Sequence, residues 1–239
     1  IKGWGKVLNY EQEIANANYP NIRLLQVAKR TSLRPLEQVE VNMNGWQECS
    51  PQSVENFSAL CYFYALRLWE ELKVPVGIID DDWGGTPAEA WTRAEALQEV
   101  TGFEEQASKI LALHYDETAV KNYYESLPQE KRPYIQDFHH SNHATVLYNA
   151  MIHPLIEFPI RGVIWYQGCN NVGRAAQHQA LFQTLITDWR KCWKNPDMPF
   201  YFVQLANYLQ PSDLQPESQW ALLRESQADA LCLLSLIHI

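Results

Sequence analysis

Four short runs of apolar, β-branched or aromatic residues punctuate the chain, at positions 22–27, 75–79, 162–167 and 199–205. Each is continuous rather than alternating, the pattern of a strand buried on both faces. Between them the apolar positions shift to helical spacing. Ser50 followed by Pro51 supplies an N-cap and a proline at the first helical position. Phe57, Leu60, Cys61, Tyr64 and Leu68 then predict one amphipathic helix of about five turns that ends near Leu72. Leu181, Leu185, Trp189 and Trp193 predict another, stopped near Asn195-Pro196. Strand alternating with helix predicts an α/β fold, a parallel sheet flanked by helices in three layers.

One stretch breaks this rhythm. Residues 94–135 are polar, Glu-rich and helix-favouring, and they are too many for a simple loop. They read as a helical insertion or lid that could shape a pocket, or equally as a solvated decoration.

Composition narrows the picture. With 239 residues, 46% of them hydrophobic, the chain can build one large core. A net charge of −9 without any Lys/Arg block argues against nucleic acid as a partner. No apolar stretch reaches the length of a membrane span, so a membrane is not expected as a partner either. Five widely spaced cysteines, Cys49, Cys61, Cys169, Cys192 and Cys232, contain no C-x-x-C pair and indicate neither a zinc knuckle nor a disulfide framework. The first residue is Ile rather than Met, which suggests a fragment or a processed chain.

Candidate chemistry gathers at two predicted strand ends. The third apolar run ends in Gln167-Gly168-Cys169-Asn170-Asn171. That is a turn in the bland reading, and a polar site at the carboxyl edge of a sheet in the sharper one. The second run leads through Asp80-Asp81-Asp82-Trp83 into Gly84-Gly85-Thr86. Paired glycines let the backbone take positive φ and offer N–H donors to an anion. Such donors beside side-chain carboxamides are what an oxyanion hole requires. No G-x-S-x-G elbow, H-E-x-x-H, Walker loop or G-x-G-x-x-G accompanies them. His139, His140 and His143 form a cluster that reads more readily as a surface loop than as a metal site. Cys169 lacks a neighbouring base. The acidic triplet reads as solvating or capping more readily than as a cation site.

At this point the sequence resembles the sialate O-acetylesterase family of SGNH-type hydrolases, carbohydrate esterases that remove acetyl groups from sugars. The resemblance rests on Trp46-Gln47-Glu48-Cys49-Ser50-Pro51, Trp83-Gly84-Gly85-Thr86-Pro87 with Ala90-Trp91, Leu147-Tyr148-Asn149-Ala150-Met151-Ile152, Trp165-Tyr166-Gln167-Gly168 and Phe200-Tyr201-Phe202-Val203-Gln204-Leu205-Ala206. It implies a serine mechanism on an acetylated carbohydrate such as sialic acid, with no metal or organic cofactor, in a periplasmic or secreted protein. An inactive carbohydrate-binding relative is the alternative.

In that family the nucleophile lies in Gly-Gln-Ser-Asn, and an Asp-x-x-His near the domain's end supplies the base. The first motif does not occur, and no Asp-x-x-His stands near the end of this chain. Residues 1–8 resemble the segment just after the serine motif, so the resemblance implies a partial esterase domain over 1–230, with 231–239 a non-native tail. His238 is not expected to be the base, since Ser235 stands three residues before it. The resemblance further assigns Gly85, Gln167 and Asn171 to the oxyanion hole, with Gln167 favoured as side-chain donor. Gly84, Thr86, Arg93 and Arg174 become candidate substrate contacts, although the arginines could equally make structural ion pairs. Cys169 stands where the family usually has Glu.

Overall fold

The computed structural model describes residues 1–2, 7–132, 139–208, 210, 217–233 and 236–238. They form two compact units, residues 1–29 with 39–82 and residues 30–38 with 83–239.

The first unit contains α1 (Tyr10–Asn16), β1 (Tyr19–Gln26), β2 (Gln47–Cys49), α2 (Pro51–Val54), α3 (Ala59–Leu72) and β3 (Val76–Asp80). β1 is central, parallel to β3 with Ile22 opposite Val76 and Gln26 opposite Asp80, and antiparallel to β2. Ile22 and Leu24 are almost wholly buried, as a continuous apolar strand requires. The single helix expected from Pro51 to Leu72 is instead two. Ser50 Oγ accepts from Ser53 N at 3.3 Å, and Ser53 Oγ accepts from Ser50 N at 2.9 Å. Ser58 then caps α3 by accepting from Cys61 N at 3.4 Å, while its own N–H donates to Asp80 Oδ2 at 3.3 Å. A second serine cap tied to a strand end outcompetes continuation, because a capped N–H no longer needs the preceding turn.

The second unit carries a 3₁₀ turn over Ala88–Trp91, then α4 (Ala94–Leu97), α5 (Glu104–Ala112) and α6 (Glu117–Ser126). The polar segment is largely helical over its described part, with Ala107, Ile110, Val120 and Tyr124 buried. A π-helical turn over Tyr148–Ile152 leads to β4 (Val163–Trp165). α7 (Ala175–Cys192), β5 (Phe200–Phe202), α8 (Gln219–Ala228) and β6 (Leu236–His238) complete it. β4, β5 and β6 are all parallel, with Val163 opposite Phe200 and Phe200 opposite Leu236.

The core of this unit is aromatic. Phe182 of α7 stacks on Trp165 of β4 at 6.2 Å, and Trp189, two turns further along α7, meets Trp165 edge-on at 5.7 Å. Phe182, Phe200 and Phe202 have no exposed surface, and each burial of this kind contributes roughly 1.5–3 kcal/mol.

The α/β class holds, with parallel pairing in both units. Among the described residues the strands pair in two three-stranded sheets, one in each unit. Burial patterns identify strands, but partner choice is a long-range contact that periodicity does not encode. Residues 234, 235 and 239, residues 3–6 and the side chains of 236–238 lie outside the described set, and with them the readings placed on His238, Ser235 and the opening segment.

Candidate functional site

The glycine loop lies in the second unit. Gly85 has φ 81°, a left-handed value that a side chain would strain. Gly84 and Gly85 are both exposed, and neither N–H donates to any acceptor among the described residues. Thr86, in contrast, faces inward. Its hydroxyl donates to Trp83 O at 2.7 Å and accepts from Trp91 Nε1 at 2.9 Å, pinning both ends of the loop's turn.

The polar end of β4 grips this loop by its backbone. Gly168 takes φ 149°, where a side chain is strained, and a Cβ there would stand 3.0 Å from Leu205 Cδ1 and 3.2 Å from Gln227 Nε2, so both neighbours would have to shift. Beyond it, Asn170 Nδ2 donates to Gly85 O at 2.6 Å. Gln167 Nε2 donates to Thr86 O at 3.1 Å and to Asn171 Oδ1 at 2.7 Å. Asn171 Oδ1 also accepts from Ala88 N at 3.0 Å. Three consecutive loop peptides are thus held by three carboxamides. Both Nε2 hydrogens of Gln167 are spent in this clamp, and Asn171 has no exposed surface.

Two further residues complete the arrangement, and neither was picked out from the sequence. Glu89 is 6% exposed; its Oε2 accepts from Asn171 Nδ2 at 2.9 Å and its Oε1 from Arg174 Nη2 at 2.7 Å. It fixes which way the Asn171 carboxamide faces, and so where Gln167 can donate. Its signal was a lone acid in the small apolar run Pro87-Ala88-Glu89-Ala90-Trp91. Gln227, fully buried on α8, donates to Gln167 O at 3.1 Å and accepts from Leu205 N at 3.1 Å. Nothing in its own sequence surroundings marks it.

His178 lies one turn into α7. Ser226 Oγ donates to Leu223 O at 2.8 Å, so at 2.9 Å it accepts from His178 Nδ1, which must carry the proton. Nε2 is left buried without a partner among the described residues. Burial first, and the Arg174 charge second, push the imidazole down to about 4.

The remaining candidates are placed elsewhere. Arg174 joins the clamp through Glu89, while its Nη1 donates to Gln177 Oε1 at 2.8 Å. Arg93 does not join it; its Nε donates to Asp188 Oδ1 at 2.6 Å, near the far end of α7. The histidines diverge: His139 approaches Glu117 at 3.5 Å, His140 Nδ1 accepts from Asn142 N at 3.1 Å, and His143 is buried beside Tyr124. In the acidic triplet, Asp80 accepts from Gln26 at 3.0 Å and Asp82 lies 3.9 Å from Lys29. No group of three His, Cys, Asp or Glu among the described residues could hold a metal ion. Cys169 is exposed at the start of the Cys169–Asn171 turn. The bare Asp-x-x-His spacing does occur once, at Asp137–His140 in mid-chain, where Asp137 lies outside the described residues.

The end of β4, a parallel strand, thus delivers a carboxamide clamp beside open backbone donors. The known proteins this chain is similar to include carbohydrate esterases. The family model for carbohydrate esterase, sialic acid-specific acetylesterase, matches residues 133–236. Human sialate O-acetylesterase is 28% identical over 232 residues, 90% of this chain and 40% of its own. The rat enzyme is 29% identical over 236 residues, covering 90% and 43% respectively. A carbohydrate acetylesterase from Xanthomonas citri superposes with a TM-score of 0.72 at 31% identity, over 95% of this chain and 44% of that one. An Arabidopsis thaliana protein shares the fold, with a TM-score of 0.50 at 16% identity. The sialate O-acetylesterase resemblance drawn from the sequence is borne out, and the chain spans about 40% of the length of the curated relatives it matches.

Proposed function

We propose that this chain supplies the oxyanion-binding half of a carbohydrate O-acetylesterase that hydrolyses acetyl esters on sialic acid or a related glycan. The observation that carries this reading is the pair of exposed, undonated N–H groups at Gly84 and Gly85, on a loop held by three carboxamides. Donors fixed before the substrate arrives need no reorganisation as the tetrahedral oxyanion forms, and losing one typically costs about 2.7–4 kcal/mol of transition-state stabilisation. In this reading Gly85 N–H is the principal donor. Gln167 and Asn171 are its scaffold rather than donors themselves, because their N–H groups already bind Thr86, Asn171 and Glu89. Arg174, paired with Glu89 but with its side chain 39% exposed, lies beside the loop as a candidate contact for an acidic sugar.

The chain carries no Gly-Gln-Ser-Asn serine, so the proposal places the attacking serine and its base in a longer product, exported to the periplasm or secreted. Acetate release from O-acetylated sialic acid and from acetylated xylan tests it. The 239-residue chain should show no turnover. The product extended to include the serine motif should release acetate and be silenced by a serine-directed phosphonate. An extended product that binds the acetylated sugar but releases no acetate would establish the binding relative instead.

A further inference from the structure

A cavity lies away from the glycine loop. The clamp meets α7 at its N-terminal end, through Arg174, whereas Asp188 and Cys192 lie about 21 Å and 27 Å further along at 1.5 Å per residue. There, within the same unit, a cavity of about 190 Å³ opens between Arg93, Glu95, Tyr115, Tyr148, His153 and Cys192.

Its polar groups have a definite pattern. Arg93 engages Asp188 through Nε alone, at 2.6 Å, and its two Nη groups have no partner among the described residues. A guanidinium edge left open on a cavity presents the planar fork that carboxylates bind. Glu95, exposed at the cavity, has both oxygens 3.3 Å from the Tyr115 hydroxyl, which can donate to only one at a time, so the carboxylate keeps acceptor capacity. Asp188 already balances Arg93, which leaves Glu95 as the uncompensated charge. A simple anion would meet that carboxylate, and a simple cation would leave the arginine edge unused. A molecule carrying both charges satisfies both.

The walls are aromatic. Tyr148 and His153 meet edge-on at 6.2 Å, and Tyr115 closes a third side. His153 is fixed by Leu36 O, 2.9 Å from Nδ1, so Nδ1 donates and the ring is held in place. Tyr148 is likewise anchored, its hydroxyl 3.4 Å from Cys192 Sγ. Rings held this way give a flat apolar lining that an ammonium group or an apolar side chain can rest on.

We propose that this cavity binds a small zwitterion of the α-amino-acid class, its carboxylate on the Nη edge of Arg93, its ammonium on Glu95 and its side chain against the aromatic wall. The site is separate from the glycine loop and does not depend on ester hydrolysis.

The test is calorimetric titration with L-phenylalanine, against 3-phenylpropanoate, which lacks the ammonium, and phenethylamine, which lacks the carboxylate. Phenylalanine should bind at least tenfold more tightly than either. Arg93→Lys keeps the charge facing Asp188 but loses the fork, and should weaken phenylalanine about tenfold while leaving phenethylamine unchanged. Glu95→Gln, at an exposed position that does not threaten folding, should weaken phenylalanine and phenethylamine together and leave 3-phenylpropanoate unaffected or improved. Equal binding of all three compounds, no phenylalanine binding at 10 mM (about the weakest affinity worth a site of this size), or indifference of phenylalanine to both substitutions would each overturn the proposal.

Discussion

Glu89 is the residue on which the glycine loop depends, because it decides the orientation of a carboxamide that could face either way. Its two charge-assisted hydrogen bonds, to Asn171 at 2.9 Å and to Arg174 at 2.7 Å, satisfy both oxygens in a setting with almost no solvent. Replacing it with Ala strands Asn171 Nδ2 in the interior and releases a half-exposed arginine. Glu89→Ala should therefore lower the unfolding free energy by about 1–3 kcal/mol in a urea titration, discounted for the solvent already reaching Arg174. Glu89→Gln, which can still accept from one neighbour, should lose less. His178 makes a second, pH-dependent statement at this scale. Burial holds its imidazole down to about 4, against 6.5 in the unfolded chain. Between those values the unfolded state binds more protons, so the stabilisation is complete above 6.5 and is lost as pH falls toward 4. The linkage amounts to about 3 kcal/mol in all, of which about 2 kcal/mol is gone by pH 5. Asp188 and Asp80 move the opposite way, since burial raises both carboxyls, so wild type alone does not isolate the effect. His178→Asn keeps a donor toward Ser226 and removes the titration. The difference in urea stability between wild type and this variant should narrow by about 2 kcal/mol from pH 7 to pH 5.

Elements in this protein end where a side chain finds a better bond than the next turn would give. Ser58 shows it most plainly, since the apolar stripe runs straight through it and would support one long helix. Its cap to Cys61 and its N–H bond to Asp80 divide that helix in two. Ser58→Ala should cost about 0.5–2 kcal/mol, read as a lower midpoint in thermal unfolding. Gly168 ends β4 by a different device, a backbone angle reserved for glycine with Leu205 and Gln227 pressed against the missing Cβ. Gly168→Ala should lose about 1–3 kcal/mol from the backbone alone, and it should displace Gln167 from the loop. The strands themselves were legible: the four apolar runs lie on β1, β3, β4 and β5, because burial on both faces imposes unbroken hydrophobicity. The short β2 and the cap at Ser58 were not, because three residues carry no period and a capping serine looks like any other polar position until its partner is known.

Over the whole molecule, what the sequence reveals divides by range of interaction. The two polar strand ends were readable as one candidate site because glycines and carboxamides announce themselves locally, and the structure does bring Gly85, Gln167 and Asn171 together. That the carboxamides bind the loop's backbone rather than point outward is a property of pairs 81 to 85 residues apart, which no spacing rule reaches. Arg93 and Arg174 looked equivalent in sequence, yet one serves the clamp and the other lines a remote cavity, because Arg174 stands at the N-terminal end of α7 against Glu89, whereas Asp188, the partner of Arg93, lies near the other end of α7. Net charge is the one global property that needs no contact map. At −9 and a pI near 5.3, the chain repels polyanions at neutral pH and loses its mutual repulsion as pH approaches 5.3. It should show no retention of duplex DNA at physiological salt, and its solubility should pass through a minimum near pH 5.3. The His178 loss overlaps that window, so turbidity must be compared in wild type and His178→Asn. A minimum shared by both belongs to net charge, whereas one that vanishes in the variant would trace precipitation to partly unfolded chains instead.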